Sequence, residues 1–187
     1  MQLKVLSHSN VEQARIWRND NLSMNRTPFL LTQEMQGSFY QEVICNRNAN
    51  ARYWGILEKT IQEYAYEDGT DSTDEIGTDK FIGMGEITNI SRENRNGEIG
   101  LIMHPGYVYM ADEAISMILE QAFNCLNLEN IYGEVYMCSA YYDIWVKSSM
   151  EHSASCCNLP NRKYWNGQYY DSLYFNINSK DWNKCKT

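Results

Sequence analysis

At 187 residues the chain has the length of a single domain, and its 43% hydrophobic content is enough for a core. A formal net charge of −8 argues against a general nucleic-acid binder, which carries a basic footprint. No apolar run reaches the ~18 residues of a membrane span, and MQLKVLSHSN lacks a basic start followed by an apolar stretch, so a cytoplasmic domain without secretory leader or membrane contact is expected.

Residues 2–6 form a short first strand. Ser9 or Asn10 then caps a helix to about Arg18, with Val11, Ala14, Arg15 and Trp17 on one face. After a break at 19–23 and a turn at Pro28, Thr32 opens a second helix to about Cys45, with Met35, Phe39, Tyr40, Val43 and Ile44 inward. RYWGILE at 52–58 is a strand. Residues 60–80 are acidic, rich in Gly, Ser and Thr, and longer than an ordinary connection of about four to six residues. They read as an insertion: a solvated loop or extended hairpin between two strands, or else a lid or partner contact.

The stretch 81–135 is the most informative. Ile82, Met84, Glu86 and Thr88 alternate along one strand, and Ile99, Leu101 and Met103 along the next. SRENRNG between them ends in Asn96-Gly97, the pair that supplies positive φ in a hairpin. From Ala114, the residues Ile115, Ile118, Leu119, Ala122, Phe123 and Leu126 recur at helical spacing, and a strand follows from Ile131. A strand that enters a helix through a short loop can hold an anion on free backbone N–H groups. Residues 162–175, RKYWNGQYYDSLYF, read as a closing hairpin through a second Asn-Gly pair, with aromatic alternation that makes good cross-strand pairs.

The six cysteines, Cys45, Cys125, Cys138, Cys156, Cys157 and Cys185, are scattered without a C-x-x-C pair. Adjacent Cys156 and Cys157 with His152 are awkward for zinc, which takes two separated pairs of ligands. Neither a metal site nor a disulfide framework is expected.

Taken in order, WRND at 17–20, the helix after RTPFLLTQ, ENRNGEIGLIMHP, EAISMILEQAFNCLNLENIYGEVY and NRKYWNGQYYDSLYF resemble the GNAT superfamily of N-acetyltransferases, in particular its RimJ/RimL-like or sugar-nucleotide acetyltransferase-like branch. The resemblance covers most of the chain. It implies an α/β (α+β) fold with a mixed central sheet of about six or seven strands and helices on both faces. It also implies a single domain over 1–187 and acetyl-CoA as co-substrate, held in a splay between the two central strands. The activity implied is transfer of acetyl to a primary amine of an amino-sugar nucleotide, another small molecule or a protein. Association as a homodimer is compatible with it.

The chain departs from the family between the central strand and the cofactor helix. Members usually carry Arg/Gln-x-x-Gly-x-Gly/Ala there. This chain has HPGYVYMADEA, with one glycine, Gly106, and no Lys or Arg from Asn96 through Val146. Pyrophosphate binding would rest on backbone donors of Tyr107, Val108, Tyr109, Met110, Ala111 and Asp112 and on the helix dipole, worth roughly 0.3–1 kcal/mol when exposed. Cations would come from Lys147 or Arg92.

The resemblance also implies that the strand backbone of Leu101, Ile102 and Met103 meets the cofactor, with an N–H near Ile102 or Met103 polarising the thioester carbonyl. Ser139 stands where an Asn is usual, and Val146 where the frequent tyrosine is expected. Tyr142 or Tyr141 would then serve as acid for the leaving thiolate, unless both simply pack. For the base, Glu98 comes first and Glu86 second, because a carboxylate buried on a central strand has its pKa raised toward the working range. Trp17, Arg18, Arg26, Tyr40, Tyr53, Trp54 and the basic-aromatic hairpin are candidates for the acceptor pocket. Two other readings remain open: a non-catalytic relative that keeps the fold as a binding or assembly module, and an acyltransferase that uses a different acyl carrier.

Overall fold

The computed structural model describes residues 1–26, 28–60, 78–152 and 154–184. Seven strands form one mixed sheet: β1 (Gln2–Lys4), β2 (Arg52–Thr60), β3 (Thr78–Ser91), β4 (Asn96–Met103), β5 (Asn130–Tyr136), β6 (Ser155–Trp165) and β7 (Gln168–Asn178). Their order is β1-β2-β3-β4-β5-β7-β6, and β4·β5 is the parallel pair in an otherwise antiparallel ladder. Helices cover both faces, as expected. α1 (His8–Asp20) and α2 (Gln33–Phe39) lie on one side; α3 (Ala111–Glu120) and α4 (Tyr142–Glu151) lie on the other, with α5 (Ser179–Lys184) at the chain's end.

Strand alternation divides the core accordingly, except that an irregularity in the β2–β3 pairing turns Ile82, expected on one face with Met84, to the opposite face. Ile56, Ile82, Ile87, Ile99 and Met103 pack under Ala114, Ile115, Ile118 and Leu119 of α3 and Trp145 of α4. On the opposite face Met84 joins Leu6, Val11 and Ala14, with Ile102, Phe39 and Tyr53 beside them. Among the described residues no helix is long and apolar enough to cross a membrane, and no cluster of three or more His, Cys, Asp or Glu is placed to hold a metal ion.

Local details differ from the sequence reading. The cap of α1 is Ser7, whose hydroxyl accepts the N–H of Asn10 while the Asn10 side chain returns to the Ser7 N–H. Thr32 does cap α2, and the helix continues as a wide turn through Tyr40–Ile44. Met35, however, faces solvent, and Gln36 is the residue that turns inward. Asn96 and Gly97 do not make the β3–β4 turn. They are already paired in the sheet, and the positive φ falls on Arg95, at 51°. Gly97 is needed for space: a Cβ there would sit 2.7 Å from Cγ2 of Ile87. The second Asn-Gly pair is the true hairpin turn, with φ of 48° at Asn166 and 83° at Gly167, as a type I′ turn requires. The acidic insertion lies mostly outside the described residues; its two ends are antiparallel partners, Thr60 opposite Thr78.

Candidate active site

The pairing of β4 with β5 is short. Asn96, Gly97 and Glu98 meet Asn130, Ile131 and Tyr132, and then the two strands part, although β4 runs on to Met103 and β5 to Tyr136. Open parallel strands receive ligands at their carboxyl ends, where neighbouring strands diverge. A cavity of about 260 Å³ lies in this opening. Ile99, Leu101, Val135, Trp145 and Phe175 supply its apolar wall; Glu86, Glu98, Glu134, Arg18 and Arg26 supply its charge.

Both carboxylates named from the sequence reach the cavity, in different states. Glu86 stands opposite Gly100 on the α1 side of the sheet. A Cβ at residue 100 would overlap Oε1 of Glu86 and lie 2.7 Å from its Cγ, so the bare glycine lets the carboxyl lie across β4. Protein surrounds Glu86 except where it meets the cavity. Burial pushes its pKa up to about 7, against the opposing pull of Arg18 and Arg26. Glu98, at the apex of the splay, is buried and already engaged. It pairs with Arg26 and accepts a hydrogen bond of 2.9 Å from Nδ2 of Asn89. A third carboxylate, Glu134 on β5, was not picked out from the sequence; the signal available was a lone acid in an apolar strand. Burial raises it, but hydrogen bonds from Arg162 (2.9 Å) and Ser172 (2.6 Å) outweigh that and hold it below the usual range.

Of the two tyrosines, Tyr141 faces the cavity. Its hydroxyl accepts the N–H of Met103 at 3.2 Å and donates to the Met103 carbonyl at 3.1 Å. Burial raises its pKa, so the phenol keeps its proton. Tyr142 opens α4 and is partly buried against the core. Ser139 lines the cavity and accepts the Tyr141 N–H at 3.2 Å. Because Met103 turns its N–H and C=O away from β3, strand alternation turns those of Leu101 the same way, into the cleft, and those of Ile102 toward β3. The cleft-facing N–H is therefore Leu101's, since that of Met103 is occupied by Tyr141.

The loop before α3 departs furthest from expectation. Pro105–Met110 is a 3-10 helix, in which each N–H bonds three residues back. Tyr107 N–H is held by the His104 carbonyl at 2.8 Å, Gly106 N–H by Nδ1 of His104 at 3.0 Å, and Ala111 N–H by Val108. Of the six amides named at Tyr107 to Asp112, those of Tyr107 and Ala111 are thus engaged, and Val108 to Met110 lie within the 3-10 helix. Lys147 does stand beside this segment, paired with Asp112. Arg92 does not: it lies with Arg52 and Arg95 in a separate cavity.

The proposed acceptor residues also separate. Arg18 and Arg26 line the cavity. Trp17 instead stacks on Phe81, Tyr40 packs on His8, and Tyr53 packs on Phe39. Trp54 belongs to the opposite core face. Lys163 is buried, with its Nζ donating to the carbonyls of Leu22, Ser23 and Asn25. That ties β6 to the turn that carries Arg26.

No protein-family model and no curated protein sequence matches the chain. Solved structures do. A spermidine N-acetyltransferase from Vibrio cholerae, in complex with CoA and spermine, superposes with a TM-score of 0.75 at 19% identity, over 97% of each chain. Mutant forms of the spermidine/spermine N-acetyltransferase of the same organism give 0.73 at 18%, over 100% of this chain and 98% of theirs. A dodecameric form of that enzyme in an intermediate state gives 0.70 at 19%, over 97% and 95%. These are polyamine acetyltransferases, not the RimJ/RimL-like or sugar-nucleotide enzymes expected from the sequence. The chain shares the GNAT-like α/β fold of these structures.

Proposed function

We propose that the chain is an N-acetyltransferase that moves acetyl from acetyl-CoA to a primary amine of a small polycationic acceptor. One observation carries the reading: a carboxyl raised to about 7, Glu86, faces a cleft opened between two parallel strands. Polyamine is the acceptor class because Glu86, Glu98 and Glu134 outnumber the lining cations Arg18 and Arg26, of which Arg26 is paired with Glu98, while Arg162 outside the lining is paired with Glu134. The matched enzymes act on spermidine or spermine, which agrees. A sugar nucleotide would ask these guanidiniums to leave their partners for its diphosphate.

In this reading Glu86, as carboxylate, takes a proton from the acceptor ammonium directly or through water. The freed nitrogen attacks the acyl carbon. The Leu101 N–H stabilises the oxyanion, as a preorganised backbone donor does. The new C–N bond forms, the attached nitrogen gives up its second proton to solvent, the C–S bond breaks, and Tyr141 protonates the departing thiolate and is reprotonated from solvent. Glu98 holds Arg26 in place and does not act as the base.

The test is thiol release from acetyl-CoA with spermidine, spermine, a UDP-amino sugar and an N-terminal peptide as acceptors. Turnover with the polyamines above the others is expected. Turnover with the sugar nucleotide alone would restore that acceptor class. CoA binding without turnover on any amine would favour the binding-module reading.

A further inference from the structure

We propose that the acyl donor is recognised through its pantetheine arm and thioester, and that the nucleotide end adds little. The inference rests on the acetyltransferase reading above and narrows its donor specificity. Two features of the cleft suit the arm. The Leu101 N–H and C=O face an opening where β5 has turned away, so an extended amide chain can pair there as a strand would. Beside it, Val135, Trp145 and Phe175 give an apolar wall for the methylene segments.

The segment that would hold the pyrophosphate is built differently. Backbone amides in such a loop bind phosphate only when they are unpaired and converge. Here those of Gly106, Tyr107 and Ala111 are spent on His104 and Val108, and those between are wound into the 3-10 helix. The first turn of α3 then places two carboxylates, Asp112 and Glu113, where a dianion would approach the helix dipole. The lysines that touch the segment are already engaged: Lys80 donates to the Tyr107 hydroxyl at 2.6 Å, and Lys147 pairs with Asp112 and Glu151. No Lys or Arg lies between Asn96 and Val146, nor in the 61–77 stretch of the sequence. An incoming pyrophosphate would have to displace internal hydrogen bonds, separate ion pairs and face two acids.

The experiment compares kcat/KM for acetyl-CoA, acetyl-dephospho-CoA, acetyl-4′-phosphopantetheine and acetyl-pantetheine on the full chain with spermidine as acceptor. Calorimetric titration with CoA and with pantetheine gives binding independently of turnover. The four donors are expected to fall within about tenfold of one another, a spread of roughly 1.4 kcal/mol. Lys80→Ala and Lys147→Ala are each expected to leave the KM for acetyl-CoA within about twofold. A hundredfold or greater loss on removing the nucleotide, with acetyl-CoA still turned over, overturns this inference and leaves the acetyltransferase reading standing. Failure of every donor to bind or react overturns both.

Discussion

Glu86 and Glu98 sit on adjacent strands, on one face, yet in different surroundings. Glu86 has its pKa raised to about 7 by burial, whereas Glu98 is held by Arg26 and Asn89. With Glu86 as base, kcat/KM should rise with pH through an inflection near 7. Glu86→Gln should lower it by about 10²–10⁴-fold and remove the inflection, while Glu98→Gln should keep the inflection. A pH–rate series on the three proteins checks this; an inflection that survives in Glu86→Gln would sink the assignment. The same shift has a stability consequence. A carboxyl raised on folding from 4.5 to about 7 favours the folded state below pH 4.5, and that contribution is lost as pH climbs to 7. Glu86→Gln should therefore be more stable than the parent at pH 8, by up to about 3 kcal/mol, with the gap closing near pH 4. Gly100→Ala probes the same carboxyl from the strand beneath it. The added Cβ cannot share space with Oε1 of Glu86, so activity should fall at least as far as an off-rotamer base implies, about tenfold, in a protein that still folds.

The elements that place these groups differ in how far they could be read from the chain. The β3–β4 hairpin, α3 and β5 were legible because alternation and helical spacing are local. So was the closing hairpin, whose Asn166-Gly167 pair supplies both positive φ values. The first Asn-Gly pair misled for a physical reason. Gly97 is required by the methyl of Ile87 on the neighbouring strand, a contact no single-strand pattern reveals. The 3-10 helix at Pro105–Met110 was equally hidden, because it depends on His104 turning its ring back to the Gly106 N–H. Arg26 meets Glu98 across 72 positions of sequence, and Lys163 holds the turn before Arg26 from 138 to 141 positions away. That last tie joins two elements and can be cut. Lys163→Met removes the ammonium that lies over the Tyr136 and Trp165 rings and leaves the carbonyls of Leu22, Ser23 and Asn25 without their donor. The turn should loosen and Arg26 with it, so the acceptor KM should rise several-fold with the donor KM unchanged. A donor KM that rises equally would mean the tie supports the whole sheet and not the acceptor side.

At the scale of the molecule, the charge works in one direction. The chain carries −8, and Glu86, Glu98 and Glu134 converge at one cleft, so the long-range field and the local lining attract the same kind of ligand. The three carboxylates outnumber the two guanidiniums, Arg18 and Arg26, that share the lining; such an excess raises the local concentration of an oppositely charged substrate, and salt weakens that attraction over a Debye length of about 8 Å at physiological ionic strength. A polyamine with three or four charges should feel this more than a monoamine of similar length. Raising salt from about 0.01 M to 0.15 M, which shrinks the Debye length from about 30 Å, should lower kcat/KM for spermine most, for spermidine less, and for a simple alkylamine least. The donor, an anion approaching an acidic molecule, should respond in the opposite sense, with its KM falling or staying level as salt rises. Stopped-time assays of thiol release across that range, with donor and acceptor varied in turn, measure both slopes. Equal salt slopes for spermine and the monoamine would mean that the carboxylates act on one ammonium at a time, and that acceptor choice lies in the shape of the cleft and not in its field.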